Sequence, residues 1–129
     1  MARSRSRRLS IAPEEFEELV RRAVDSVPPE YARLLKNVAV IVEDEPPRDV
    51  LDELGCESGD DLLGLYSGPS LEDESFFSAA GQLPPRISIY RGPILRLCRT
   101  REEVVHEVRD TVVHEIGHHF GLDDDEMPY

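Results

Sequence analysis

Residues 100–121 read TREEVVHEVRDTVVHEIGHHFG, and the spacing of their apolar side chains predicts one long helix. Thr100 followed three residues later by Glu103 has the spacing of a capping box, which marks the helix start. At about 100° per residue, Val104, Val105, Val108, Val112, Val113, Ile116 and Phe120 fall within an arc of about 180°. That half is expected to face a core. His114 and His118 lie about 40° apart on the opposite half, with Glu115 between them and the apolar arc. His119 falls inside the arc and reads as a packed or hydrogen-bonded core histidine. His106, two turns earlier, reads as a surface residue. Asp110, one turn before His114, either orients that ring through its carboxylate or is simply solvated.

Three of the four histidines of the chain thus stand within HEIGHH, residues 114–119. The spacing H-E-x-x-H on a helix carries a mechanism. Residues i and i+4 project side by side, so two neutral imidazoles can hold one zinc ion at ~2.0 to 2.1 Å, and the glutamate after the first can reach a zinc-bound water. Zinc lowers the pKa of that water toward ~7, and Glu115 takes its proton and passes it to a leaving amine. Two imidazoles do not complete such a site. A third ligand must follow His118, where Gly121 can end the helix and turn the chain back. Asp123, Asp124, Asp125 and Glu126 are the carboxylates within reach, and a merely solubilising acidic end is the bland alternative.

The full string His114-Glu115-x-x-His118-x-x-Gly121-x-x-Asp124 resembles the extended zincin signature in its form with aspartate as third ligand. Together with IYRGPI at 89–94 and VRDTVVHEIGHHFGLDDDEM at 108–127, it is similar to the minimal zincins, short bacterial proteins grouped as metallopeptidases. The resemblance is clearest from Pro84 to Met127. It implies a zincin-like α+β fold, a small mixed sheet packed on helices with a C-terminal metal-binding helix beneath a substrate cleft. It also implies one zinc per chain, held by His114, His118 and Asp124, with Glu115 catalytic. In larger zincins an edge strand holds the peptide extended; residues 63–66 and 87–90 are both candidates here. The chain ends eight residues after Gly121, so it lacks the separate methionine turn and C-terminal subdomain of the metzincin pattern, although Met127 could pack under the site.

Upstream, PEEFEELVRRAVDSV from Pro13 predicts a helix, with Ser10 as a possible cap and Phe16, Leu19, Val20, Ala23, Val24 and Val27 on one face. PEYARLLKN (29–37) reads as a short helix or turn. NVAVIVED (37–44) reads as a buried strand. A short helix is expected over Asp49–Leu54 with Gly55 just past its end, a weak strand over 62–66, and a strand through Ile87 and Ile89, which alternate with Ser88 and Tyr90. Residues 67–85 read as a loop. Tyr66, Tyr90 and Tyr129 could donate to an oxyanion, yet packing is the expectation for the first two, and none is placed in the catalytic set.

The chain of 129 residues is the size of one domain, expected over 13–129 behind a flexible basic tail, 1–12. With 40% hydrophobic and 33% charged residues it is globular rather than disordered. Its net charge of −12 is unevenly placed, because Arg3, Arg5, Arg7 and Arg8 crowd the first eight residues. The acidic remainder repels phosphate backbones, so no nucleic-acid partner is expected. No apolar run is long enough for a membrane span or a secretory signal. Cys56 and Cys98 form no CxxC clip, in keeping with a cytoplasmic protein. GxSxG, Walker A and GxGxxG strings are absent. Two readings follow: a zinc metallopeptidase acting on a peptide or protein substrate, or a non-catalytic, zinc-stabilised binding or regulatory module. Glu115 favours the first, since a structural site needs ligands but no base.

Overall fold

The computed structural model describes residues 9–68 and 84–120. Its elements run α1 (Pro13–Asp25), α2 (Pro29–Ala32) tightening into a 3-10 turn at Arg33–Leu35, β1 (Ala39–Glu43) and α3 (Arg48–Leu54). A 3-10 turn at Gly59–Asp61 follows, then β2 (Gly64–Ser67), β3 (Arg86–Tyr90), α4 (Arg91–Leu97) and α5 (Arg101–His119). The strands form a mixed sheet in the order β1-β3-β2, with β3 parallel to β1 and antiparallel to β2. The architecture is therefore α+β, with α5 and α1 packed together beside the sheet.

Helix α5 follows from its residues. The Thr100 side chain accepts the Glu103 N–H at 3.1 Å, while the Glu103 carboxylate reaches one residue further back than a capping box requires, to the Arg99 N–H at 2.7 Å. Val104, Val108, Val112, Val113 and Ile116 are all fully buried, as the apolar arc predicts. Phe120, assigned to the same arc, is instead 40% exposed, because the helix has ended at His119. Against this stripe α1 lays Phe16, Leu19, Val20 and Ala23. Its N-cap is Ala12 with no side-chain cap, so Ser10 does not serve that purpose; Pro13 at the first position gives up an N–H that needed no partner. Leu9 and Ile11, within the stretch expected as tail, pack on the core, and Ile11 is buried.

The strands exchange the roles expected of them. Continuous apolarity in 37–44 suggested a buried strand, yet β1 lies at the sheet edge and is only partly covered. Strand β3, offered as one of two candidate edge strands, is central, and Ile87, Ser88, Ile89 and Tyr90 are all buried. The Ser88 hydroxyl donates to Glu43 at 3.0 Å, so its burial leaves no hydroxyl unmatched. The seven-residue helix α4 was not foreseen; Pro93 in its first turn is a position that tolerates proline. Helix α3 and the left-handed Gly55 (φ 74°) match expectation. Most of the loop expected over 67–85 lies outside the described residues.

Because Phe16 has no exposed surface, Phe16→Ala should destabilise the fold by about 3–5 kcal/mol. Leu54→Ala, at a side chain 50% exposed, should stay within about 0.5 kcal/mol of the parent. Denaturant midpoints at constant m-value check the pair.

Candidate active site

His114, Glu115 and His118 occupy the last turns of α5, where the valine stripe has brought the helix alongside β2. The Glu115 carboxylate accepts the backbone N–H of Tyr66 at 2.9 Å, a contact across 49 positions of sequence. Strand β2 is an edge strand among the described residues, and antiparallel alternation explains why that N–H does not bond β3. The Tyr90 N–H donates to the Leu63 carbonyl, so Leu63 and Leu65 bond β3 while Gly64 and Tyr66 turn their peptide groups away from it. Burial pushes the Glu115 carboxyl above its ordinary range, and the Tyr66 N–H and the imidazoles of His118 and His114 draw it partway back. A carboxyl raised in this way is a stronger base than an exposed one.

The His114 ring is oriented by the helix itself. Its Nδ1 lies 3.1 Å from the backbone carbonyl of Asp110, and with the proton on Nδ1 the ring donates there and offers Nε2 as a lone-pair ligand. The Asp110 carboxylate does not take that part. It faces His106 at 3.4 Å and Arg109 at 3.3 Å. The exposed His118 ring stands with its centroid 6.0 Å from that of His114 and nearly perpendicular to it, at 70°. Two imidazoles sharing a tetrahedral ion, with nitrogens ~2.0 to 2.1 Å from it, need a spacing of this order. Donor chemistry and ring geometry thus fit zinc.

Gly121, Asp123, Asp124, Asp125, Glu126, Met127 and Tyr129 lie outside the described residues. Among the described residues no three His, Cys, Asp or Glu side chains converge on one point. His119 packs as expected, its ring stacked on Tyr66 with centroids 3.8 Å apart. Tyr66 and Tyr90 are buried, and burial raises both phenols above their usual pKa. What sequence reasoning missed is the backbone of Tyr66, for which no side-chain signal exists. Beside Glu115 opens a cleft of about 400 Å³, walled by residues 61–64 on one side and by Glu107, Asp110, Thr111, His114 and Glu115 on the other. Of the two strands considered for holding an extended peptide, β3 is paired along both edges and β2, among the described residues, along one.

A family model described as zincin-like metallopeptidase matches residues 35–129. The chain belongs to the zincin-like metallopeptidases. The match spans the sheet and α5, so the α+β architecture is that of a zincin-like domain. The protein is also similar to a solved structure, a conserved hypothetical protein from Thermus thermophilus, at 29% identity and a TM-score of 0.52, over 84% of this chain and 94% of that one. No curated protein matches. No helix among the described residues is long and apolar enough to cross a membrane.

Gly64 is where this zincin-like site meets its fold. A Cβ there would stand 2.7 Å from Thr111 Cγ2 and 2.9 Å from the Ser88 carbonyl oxygen. Gly64→Ala should therefore destabilise by about 1–3 kcal/mol as β2 is pushed off α5. Adding Thr111→Ser removes one of the two clashes and should recover part of the loss in thermal unfolding, but not all of it.

Proposed function

We propose that this zincin-like protein is a zinc-dependent metallopeptidase in which His114, His118 and Asp124 hold one zinc per chain and Glu115 is the catalytic base. The observation that carries the reading is the Glu115 carboxylate, half-buried at a cleft, tethered to an edge-strand N–H and flanked by the two imidazoles. A zinc site that only braced a fold would need no base in that position. When bound, zinc supplies Lewis acidity that acidifies water and polarises a scissile carbonyl. The chain's own residues do the rest. Strand β2 presents the outward peptide groups of Gly64 to an extended peptide, which enters the cleft as an added strand. Glu115 removes the proton of the attacking water and returns it to the leaving amine. The substrate is accordingly a peptide or protein in extended form, and we place the protein in the cytoplasm, a setting that suits its two free thiols, Cys56 and Cys98.

Two measurements test this. Glu115→Gln should keep about one zinc per chain and abolish hydrolysis of any library peptide that the parent cleaves. A zinc-loaded parent that cleaves nothing in a broad library would favour the non-catalytic module instead.

The third ligand is tested by zinc titration of three neighbouring variants. Asp124→Ala should weaken zinc binding by well over the ~10 to 100-fold that loss of a supporting group costs, and Asp123→Ala and Asp125→Ala by much less. Damage concentrated in Asp123→Ala or Asp125→Ala would refute Asp124.

A further inference from the structure

Glu115 and His119 stand four residues apart on α5, hence on one face and one turn from each other. Both grip the same partner. Glu115 takes the backbone N–H of Tyr66 at 2.9 Å, and His119 stacks on the Tyr66 ring with centroids 3.8 Å apart and planes inclined at 37°. Tyr66 belongs to a strand of four residues that pairs with β3 at the end of the sheet order β1-β3-β2. Among the described residues no further strand flanks its other side. The stack is thus a hold on the Tyr66 ring beside the hydrogen bond on its backbone.

We propose that His119 is a positioning residue for Glu115, acting through Tyr66: the imidazole clamps the Tyr66 ring, and the clamped strand fixes the N–H that aims the carboxylate. This rests on the reading of Glu115 as the base, and it gives His119 a part in the reaction rather than in the core alone. The imidazole acts here by its flat face, so another flat ring of similar size replaces it. A small side chain does not. Loosening of the strand lets the carboxylate wander from the water it must deprotonate, which slows the chemical step without touching the zinc ligands.

The test compares zinc-loaded parent, His119→Ala and His119→Phe by zinc content, by kcat and KM on a peptide the parent cleaves, and by hydrogen exchange of the Tyr66 amide. His119→Ala should keep its zinc and its KM, lose kcat by about 10- to 100-fold as expected for a displaced catalytic group, and exchange the Tyr66 amide faster. His119→Phe should restore both kcat and amide protection. Zinc lost in step with kcat, a lowered Tm with kcat unchanged, or failure of phenylalanine to restore kcat would each overturn the proposal. If the parent cleaves no peptide, the peptidase reading fails by itself. The Tyr66 amide then still decides the clamp, since unchanged exchange in His119→Ala would refute it.

Discussion

The close crossing of α5 over β2 is possible because position 64 carries no side chain. With Thr111 Cγ2 standing where a Cβ would have to go, any other residue at Gly64 would hold helix and strand apart. From that approach follow the Tyr66 hydrogen bond to Glu115, the Tyr66 stack on His119 and the cleft that opens alongside. All three join one helix face to one strand edge. Neither element could build the site alone, since α5 supplies the side chains and β2 supplies the peptide group that aims one of them.

Withdrawing Glu115 from water is unfavourable by itself, because a charged carboxylate loses hydration in a low-dielectric setting. Its neighbours show how that cost is offset. One N–H and two imidazoles face it, enough to moderate its raised pKa without cancelling the rise. An ion pair with arginine, such as the fork by which Arg96 holds Glu45 at 2.9 and 3.0 Å, would have lowered the pKa and left a poor base. Arg96 and Arg101 pair with carboxylates in this way, with Glu45, Asp60 and Glu15, away from Glu115.

Helix α5 was legible in the sequence because every local signal agreed: a capping threonine, a valine stripe with period near 3.6, and paired histidines on the far face. The sheet was less legible. Apolar content reports how hydrophobic a strand is and not how many neighbours it has, so the apolar β1 was expected inside and lies at an edge, while Ser88 and Tyr90 hid the central place of β3. Helix α4 has only seven residues, too few for a helical period to stand out, and carries a proline in its first turn. Within the candidate site, HExxH named His114, Glu115 and His118. It could not show that the Asp110 carbonyl, not its carboxylate, orients His114, nor that Tyr66 acts through its backbone. Both are main-chain groups, and main-chain groups carry no sequence signature.

The placement of the histidines at the end of α5 rather than its middle has an electrostatic consequence. The last carbonyls of a helix bear partial negative charge equivalent to about half an elementary charge, and the effect is confined to the final turn. Here the Phe120 N–H reaches back to the carbonyls of Ile116 and Gly117, at 3.2 and 3.1 Å. His118 lies in that turn and His114 one turn before it. A cation between the two rings would therefore be favoured by the helix as well as by its ligands. Burial and charge therefore pull Glu115 in opposite directions: desolvation raises its pKa, whereas the imidazoles that would attract a metal ion favour its ionised form.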